Sequence, residues 1–265
     1  MLRMPTVFGP ALGPRQTPSG GRYDPSETGL TEQVIVRVAF TSTTDAVEAL
    51  LPPRLELAGP PVVSISVSYL SNVAWLAGGG YNIVTVEVPA TPTGGGDDPP
   101  GVFVPVLWEN LADPIITGRE ELGMSKLYAE IPDLIRTDEG CICSCGWRGF
   151  EFLRLGVSGL ESAGDATSVR KSRTVYNHKY IPATGRWGTP DVDYITITPP
   201  QDVVVRERLS GVAELAIRTA TFEQLPTLFT IVNALAALPV LELHRGSVVE
   251  CAVNSEGYEQ RMLGD

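Results

Sequence analysis

The sequence predicts a strand-dominated α+β fold: a curved antiparallel sheet or β-barrel around a central cavity, with a few short helices. Three observations predict it. Most ordered stretches alternate apolar and polar residues at the period of a strand, turns rich in Gly and Pro separate them, and only two stretches carry helical signals. Strands and helices do not alternate regularly, which argues against a doubly wound parallel sheet. A barrel of eight or more strands encloses either side chains or one small ligand, so an interior site fits this class.

The first thirty residues are rich in Pro, Gly, Ser and Thr and read as an extended arm, with residues 31–265 as one domain. "EQVIVRVAF" opens the ordered part as a strand. "TSTTDAVEALLPP" is a short helix with a threonine cap and a proline pair that stops it. In "PVVSISVSYL" the apolar Val63, Ile65 and Val67 face away from Ser64, Ser66 and Ser68. "YNIVTVEVP" and "VFVPVLW" are further strands, followed by "CICSCGW", "FEFLRLGV", "TSVRKSRTVYNHKYIP", "DYITITPP" and "GVAELAIRTA". The second helix is "TFEQLPTLFTIVNALAALP", apolar at helical spacing through Leu225, Leu228, Ile231, Val232 and Leu235, with Pro226 near its first turn. "VLELHRGSVVECAV" closes the fold as one or two strands.

Composition narrows the function. A net charge of −11 argues against a nucleic-acid partner, since phosphate contacts need a basic face, although an acidic average leaves room for a local basic pocket. No run of 18 apolar residues exists, so no membrane span is expected, and the interrupted N-terminus does not read as a signal peptide. A cytoplasmic protein is the expectation. Cys141, Cys143 and Cys145 alternate and share a strand face, but without paired C-x-x-C spacing they read as buried thiols, not metal ligands.

Motifs for cofactors are missing. No Walker loop, no G-x-G-x-x-G opening a helix, no H-E-x-x-H and no complete G-x-S-x-G elbow occur, so no cofactor is expected. The glycine runs at 78–80 and 94–96 read as loops. His178, in a strand-like run, reads as structural. Three lysines remain: Lys171 and Lys179 sit in a charged segment and read as solvated, whereas Lys126 has Leu122, Met124 and Leu127 as neighbours. Spacing alone leaves Lys126 open between a surface or salt-bridged lysine and a reactive one.

The stretch "ENLADPIITGREELGMSKLYAEI" resembles the signature region of the acetoacetate decarboxylase family: a Gly-Arg-Glu tripeptide followed, a few positions on, by a lysine. "RVAFTSTTDAVEALLPPRLEL", "YNHKYIP" and "ALPVLELHRGSVVECAV" extend the similarity in chain order over roughly residues 30 to 253. The resemblance implies that Lys126 is a nucleophile forming a Schiff base with a small keto acid, and that the chain assembles into homo-oligomers. A free lysine has a pKa near 10.4, so about one in 2,500 is neutral at pH 7. An apolar site or a neighbouring cation lowers that value, acetoacetate decarboxylase itself being the standard case. Lowering it by about 3 pH units costs roughly 4 kcal/mol, which a packed domain tolerates. The protonated imine then takes up electrons released by loss of CO2 or of a neighbouring proton.

Departures from the family pattern at four positions redirect the expected reaction. The second lysine of the decarboxylases is replaced by Leu127, and the proline before the nucleophile by Ser125. The glutamate two residues after a tyrosine becomes Ile83, and the arginine of the first strand becomes Glu32 or Gln33. Activation of Lys126 must then rest on desolvation by Leu122, Met124 and Leu127, or on a residue folded in from elsewhere. Aldolase–dehydratase or related imine chemistry, for example on pyruvate, is expected ahead of acetoacetate decarboxylation, with a non-catalytic ligand-binding barrel as the remaining alternative. Arg119 is the candidate for orienting a substrate carboxylate, as a guanidinium fork suits that group; a salt bridge that shapes the loop is its other reading. Glu120 or Glu121 is expected to move protons, and Tyr81 either donates a hydrogen bond or packs as an aromatic. Ile83 and Leu127 are expected against the substrate.

Overall fold

β-Strands in the computed structural model begin at the first alternating stretch of the sequence. Residues 17–19, 29–94, 98–164, 168–254 and 260–264 are described. Apart from 17–19, 29 and 30, the arm expected over residues 1–30 lies outside the described residues. The first half runs β1 (Thr31–Thr41), α1 (Thr44–Glu48), β2 (Leu55–Glu56), β3 (Val62–Ser71), β4 (Tyr81–Pro92), β5 (Gly101–Glu109) and α2 (Ala112–Thr117). Next come β6 (Lys126–Tyr128), β7 (Ile135–Arg136), β8 (Gly140–Trp147), β9 (Phe150–Ser162), β10 (Ser168–Lys171), β11 (Val175–Pro182) and β12 (Pro190–Thr198). The chain finishes with β13 (Asp202–Ile217), α3 (Phe229–Ala236), β14 (Glu242–Leu243), β15 (Gly246–Val253) and β16 (Arg261–Met262).

One curved sheet contains all of these strands, along the main path β16-β12-β11-β5-β4-β3-β1-β15-β13-β9-β8-β7. Two features differ from a closed antiparallel barrel. The path ends at the two-residue strands β16 and β7, which do not pair with each other, so the sheet stays open. The sheet is also mixed: β5 pairs in parallel with β6 and with β11. A parallel neighbour needs a crossover connection, and α2 with the turn after it supplies one between β5 and β6.

Alternation assigns the two faces. Val36, Val38 and Phe40 of β1, Val63, Ile65 and Val67 of β3, and Val84, Val86 and Val88 of β4 are fully buried on the core face. They join one apolar cluster with Val47 of α1 and Val232 and Leu235 of α3. Gln33, Ile35 and Arg37, Ser66 and Ser68, and Tyr81, Ile83, Thr85 and Glu87 point the other way and line cavities. This is the arrangement that the Val/Ile-against-Ser pattern of β3 predicted.

The helices follow their local signals with two corrections. Thr43 caps α1, its hydroxyl accepting from the Ala46 N–H, and Pro52 and Pro53 follow. α3 begins only at Phe229, so Pro226 sits in the turn before it and not in its first turn. Asn233 holds that preceding segment, accepting from Ala220 N–H and donating to Ala220 C=O. α2 was not expected from the sequence; it is a single short helix that continues as a π-turn over Gly118–Leu122. The stretch "TSVRKSRTVYNHKYIP" is two strands, β10 and β11, and not one.

Candidate active site

Lys126 starts β6, and the parallel register places it beside Leu107 of β5. Residues two apart on a strand share a face, so Glu109 lies on the same side as Leu107 and reaches Lys126. Lys126 Nζ stands 2.8 Å from Glu109 Oε1 and donates to Pro114 C=O at 3.0 Å. Lys126 is 7 % exposed and Glu109 not at all. Glu109 Oε2 has no hydrogen-bond partner among the described residues. Burial holds the Glu109 carboxyl above its ordinary value, and the Lys126 ammonium opposes that rise without cancelling it.

The lysine stem rests on Gly118. A Cβ at that position would lie 2.4 Å from Lys126 Cε and 2.7 Å from Nζ, so the close approach requires glycine. Its φ of −63° is ordinary, and the need is for space and not for conformation. The π-turn Gly118–Leu122 ends at Gly123 in the left-handed region, φ 75°, where a Cβ would also meet the Lys179 side chain. Two hydrogen bonds fix the turn: Thr196 Oγ1 donates to Leu122 C=O at 2.8 Å, and Lys179 Nζ to Glu121 C=O at 3.2 Å. Lys179 is therefore a half-buried brace, not the solvated charge expected from sequence.

A cavity of about 210 Å³ surrounds the pair, lined by residues that include Tyr81, Ile83, Glu121, Leu122, Met124 and Asn177. Asn177 is 1 % exposed, and neither its Nδ2 nor its Oδ1 has a partner among the described residues. Leaving such groups unpaired costs about 1–3 kcal/mol, so a buried amide on a cavity wall is a ready contact for a polar ligand. Tyr81 stands 6.2 Å from the Trp75 ring, centroid to centroid. Of the two candidates at the first-strand position, Gln33 lines the cavity, while Glu32 is paired with Arg206 at 2.6 Å.

Other expected site residues fall elsewhere. Arg119 does not line this cavity; its Nη1 donates to Lys126 C=O at 3.0 Å, bracing the backbone of the lysine. With exposed Glu120, it borders a neighbouring cavity beside Ser125 and Lys179. Glu121, not Glu120, is the acid of that pair that reaches the lysine cavity. Leu127 pairs with Trp108 on β5, so alternation turns it to the opposite face, where it packs on the core. Desolvation of Lys126 accordingly comes from Leu122, Met124 and Leu107, and not from Leu127.

Glu109 is the residue that sequence reasoning missed. Its signal is the charge closing an apolar strand, "VFVPVLWE", two residues after the buried Leu107. His178 pairs with Asp193 at 2.8 Å and His244 with the Thr41 hydroxyl at 2.7 Å. Cys141, Cys143, Cys145 and Cys251 are all buried thiols whose pKa burial raises. No cluster of His, Cys, Asp or Glu suited to a metal occurs among the described residues. No helix among them is long and apolar enough to cross a membrane.

The acetoacetate decarboxylase family profile matches residues 3–255. The chain belongs to the acetoacetate decarboxylase family. Solved structures share its fold at low identity. One of acetoacetate decarboxylase is 16 % identical, covering 99 % of this chain and 98 % of its own, with a TM-score of 0.69. The acetoacetate decarboxylase of Legionella pneumophila is 20 % identical over 89 % of this chain and 90 % of its own, TM-score 0.66. The enduracididine biosynthesis enzyme MppR, solved with pyruvate, is 16 % identical over 94 % and 95 %, TM-score 0.63. No curated protein compared with the chain matches it in sequence. Within this acetoacetate decarboxylase family chain, the Gly-Arg-Glu segment and its lysine are the π-turn and buried amine described above.

Proposed function

We propose that this acetoacetate decarboxylase family protein is a lysine Schiff-base lyase acting on a small keto acid. The observation that carries the reading is the buried Lys126–Glu109 pair on the wall of a small cavity. Only a neutral amine attacks a carbonyl, and here the proton has a destination: a carboxylate made more basic by burial. Lys126 Nζ adds to the keto carbon, giving a carbinolamine. Glu109 returns the proton to the carbinolamine hydroxyl, which leaves as water, and the protonated imine remains. Glu121 is placed on the wall to take a proton from the carbon next to the imine, giving an enamine. The enamine carbon attacks an aldehyde, the adduct loses water, and hydrolysis of the imine frees Lys126. Asn177 supplies one donor and one acceptor for the substrate's carboxylate and its surroundings.

Aldol–dehydration chemistry on a 2-keto acid of the pyruvate type is favoured over loss of CO2 by the apolar Ile83 on the cavity wall and by Gln33 in place of a cation. MppR, solved with pyruvate and with the condensation product of pyruvate and imidazole 4-carboxaldehyde, lends this reading support as a relative in fold. Borohydride reduction in the presence of pyruvate or acetoacetate, followed by peptide mass spectrometry, tests the proposal. An adduct on Lys126 is expected, with no CO2 release from acetoacetate. Absence of an adduct with every keto acid tried makes the protein a non-catalytic binder, and rapid CO2 release makes it a decarboxylase.

A further inference from the structure

A second cavity, of about 480 Å³, adjoins the lysine cavity. The two share Gln33, Thr85, Glu87, Met124 and Val175 as a common wall. The charge of this second chamber is opposite to that of the chain. Overall there are 20 Lys and Arg against 31 Asp and Glu, yet the chamber wall carries Arg37, Arg170, Lys171, Arg173 and Arg208 against the single carboxylate of Glu87. Glu87 sits at the junction and pairs with Arg173, and with Arg37 at 3.5 Å. Lys171 pairs with Asp202 at 2.9 Å. Arg170 and Arg208 have no carboxylate partner among the described residues, and the Nε of Arg37 is buried without a hydrogen-bond partner. Among the described residues three cationic charges are left in excess, gathered on one concave surface where their fields add.

Size points the same way. A ligand pocket usually measures roughly 300–1,000 Å³; the lysine cavity alone, at about 210 Å³, falls short, and with its basic neighbour it falls within that range. We propose that the substrate is a dianionic keto acid. Its keto end reaches Lys126 and a second oxyanion, a carboxylate or a phosphate, lies in the basic chamber against Arg170, Arg173 and Arg208. Selection of substrates by their far end rests on the Schiff-base reading above; the anion site itself does not. Met124 and Gln33 stand where the connecting chain passes from one chamber to the other.

Calorimetric binding of 2-oxoadipate against chain-matched 2-oxohexanoate separates charge from size and needs no covalent step. The dianion is expected to bind on the order of tenfold more tightly for each arginine it engages, the effect of one charge-assisted hydrogen bond. Arg170→Gln and Arg208→Gln, both on exposed side chains, are expected to remove that advantage and leave 2-oxohexanoate and pyruvate unaffected. A 2-oxo-5-phosphonopentanoate arm, with the same three methylenes as 2-oxoadipate, reports which oxyanion fits better, and preference for either supports the proposal. Equal binding of 2-oxoadipate and 2-oxohexanoate, or a preference untouched by both substitutions, overturns it. Borohydride trapping on the same samples reads the other hypothesis: arginine-dependent binding without a Lys126 adduct keeps the anion site and removes the Schiff base, and a pyruvate adduct without dianion preference does the reverse.

Discussion

Lys126 Nζ lies 2.8 Å from Glu109 Oε1, with both side chains withdrawn from solvent, so the lysine's electrostatic partner is an anion. In the decarboxylase pattern the sequence neighbour of the nucleophile is a cation, and here that position, Leu127, faces the core. An anion at this distance favours the ammonium form of the lysine, and burial makes the same carboxylate a better proton acceptor.

Breaking that pair from one side has a predictable cost. Lys126→Met leaves Glu109 buried alone, and removing one partner of a buried pair costs about 3–5 kcal/mol. The double replacement Lys126→Met with Glu109→Leu is expected to recover most of the loss, because two apolar side chains replace two desolvated charges. Urea denaturation of the four proteins at neutral pH measures the coupling; additive losses would count against it.

The pH dependence of stability carries the signature of Glu109. Its folded-state value is raised above the ordinary 4.5, so above that pH the native state holds a proton that the unfolded chain releases. Stability from this group is present below pH 4.5 and falls as pH rises through the raised value. Glu109→Gln is expected to flatten that fall, seen as a smaller drop in urea midpoint than in the wild type as pH is raised above 4.5.

Gly118→Ala tests the cradle. The new Cβ would stand 2.4 Å from Lys126 Cε, so the lysine must move away from Glu109. Overpacking of this kind costs about 1–3 kcal/mol, yet trapping of a keto acid on Lys126 is expected to fall by far more than that loss of stability explains. Mass spectrometry after borohydride, beside thermal unfolding, compares the two.

Asn177→Leu should separate stability from function. The amide is buried and has no partner among the described residues, so an apolar replacement of similar volume is expected to leave stability unchanged or raise it by about 1 kcal/mol. Trapping of pyruvate is expected to weaken about tenfold, as loss of a substrate contact predicts. A variant that is destabilised and still traps normally would assign Asn177 a structural role.

Arg119 offers a contrast between two roles. As a brace on Lys126 C=O it is replaceable in part by lysine, whose ammonium also donates. Arg119→Lys is expected to slow imine formation modestly while leaving the dependence on keto-acid concentration unchanged; a large rise in that concentration dependence would indicate direct contact with substrate.

Much of this was legible in the chain. The Val/Ile-against-Ser alternation of β3 gave that strand its two faces, and the structure puts Val63, Ile65 and Val67 on the core side as the pattern requires. The short helix capped by Thr43 followed its local signals as well. Lys126 stood out because it is one of three lysines and follows Gly-Arg-Glu. The partners of Lys126 did not stand out, since nothing local in "VFVPVLWE" ties Glu109 to a residue 17 positions later.

By itself, then, the sequence determined the strand-rich class, the two faces of β3 and which lysine the family motif singles out, because period-two patterning and motif spacing are local properties of the chain. Only the tertiary structure decided that Glu109 meets Lys126, that Arg119 braces instead of lining the cavity, that Leu127 faces the core, and that five cations gather beside the site. Those facts depend on the parallel register of β5 with β6 and on the curl of the whole sheet. A shift of one residue in that register would exchange the faces of Lys126 and Leu127, and no local pattern specifies it.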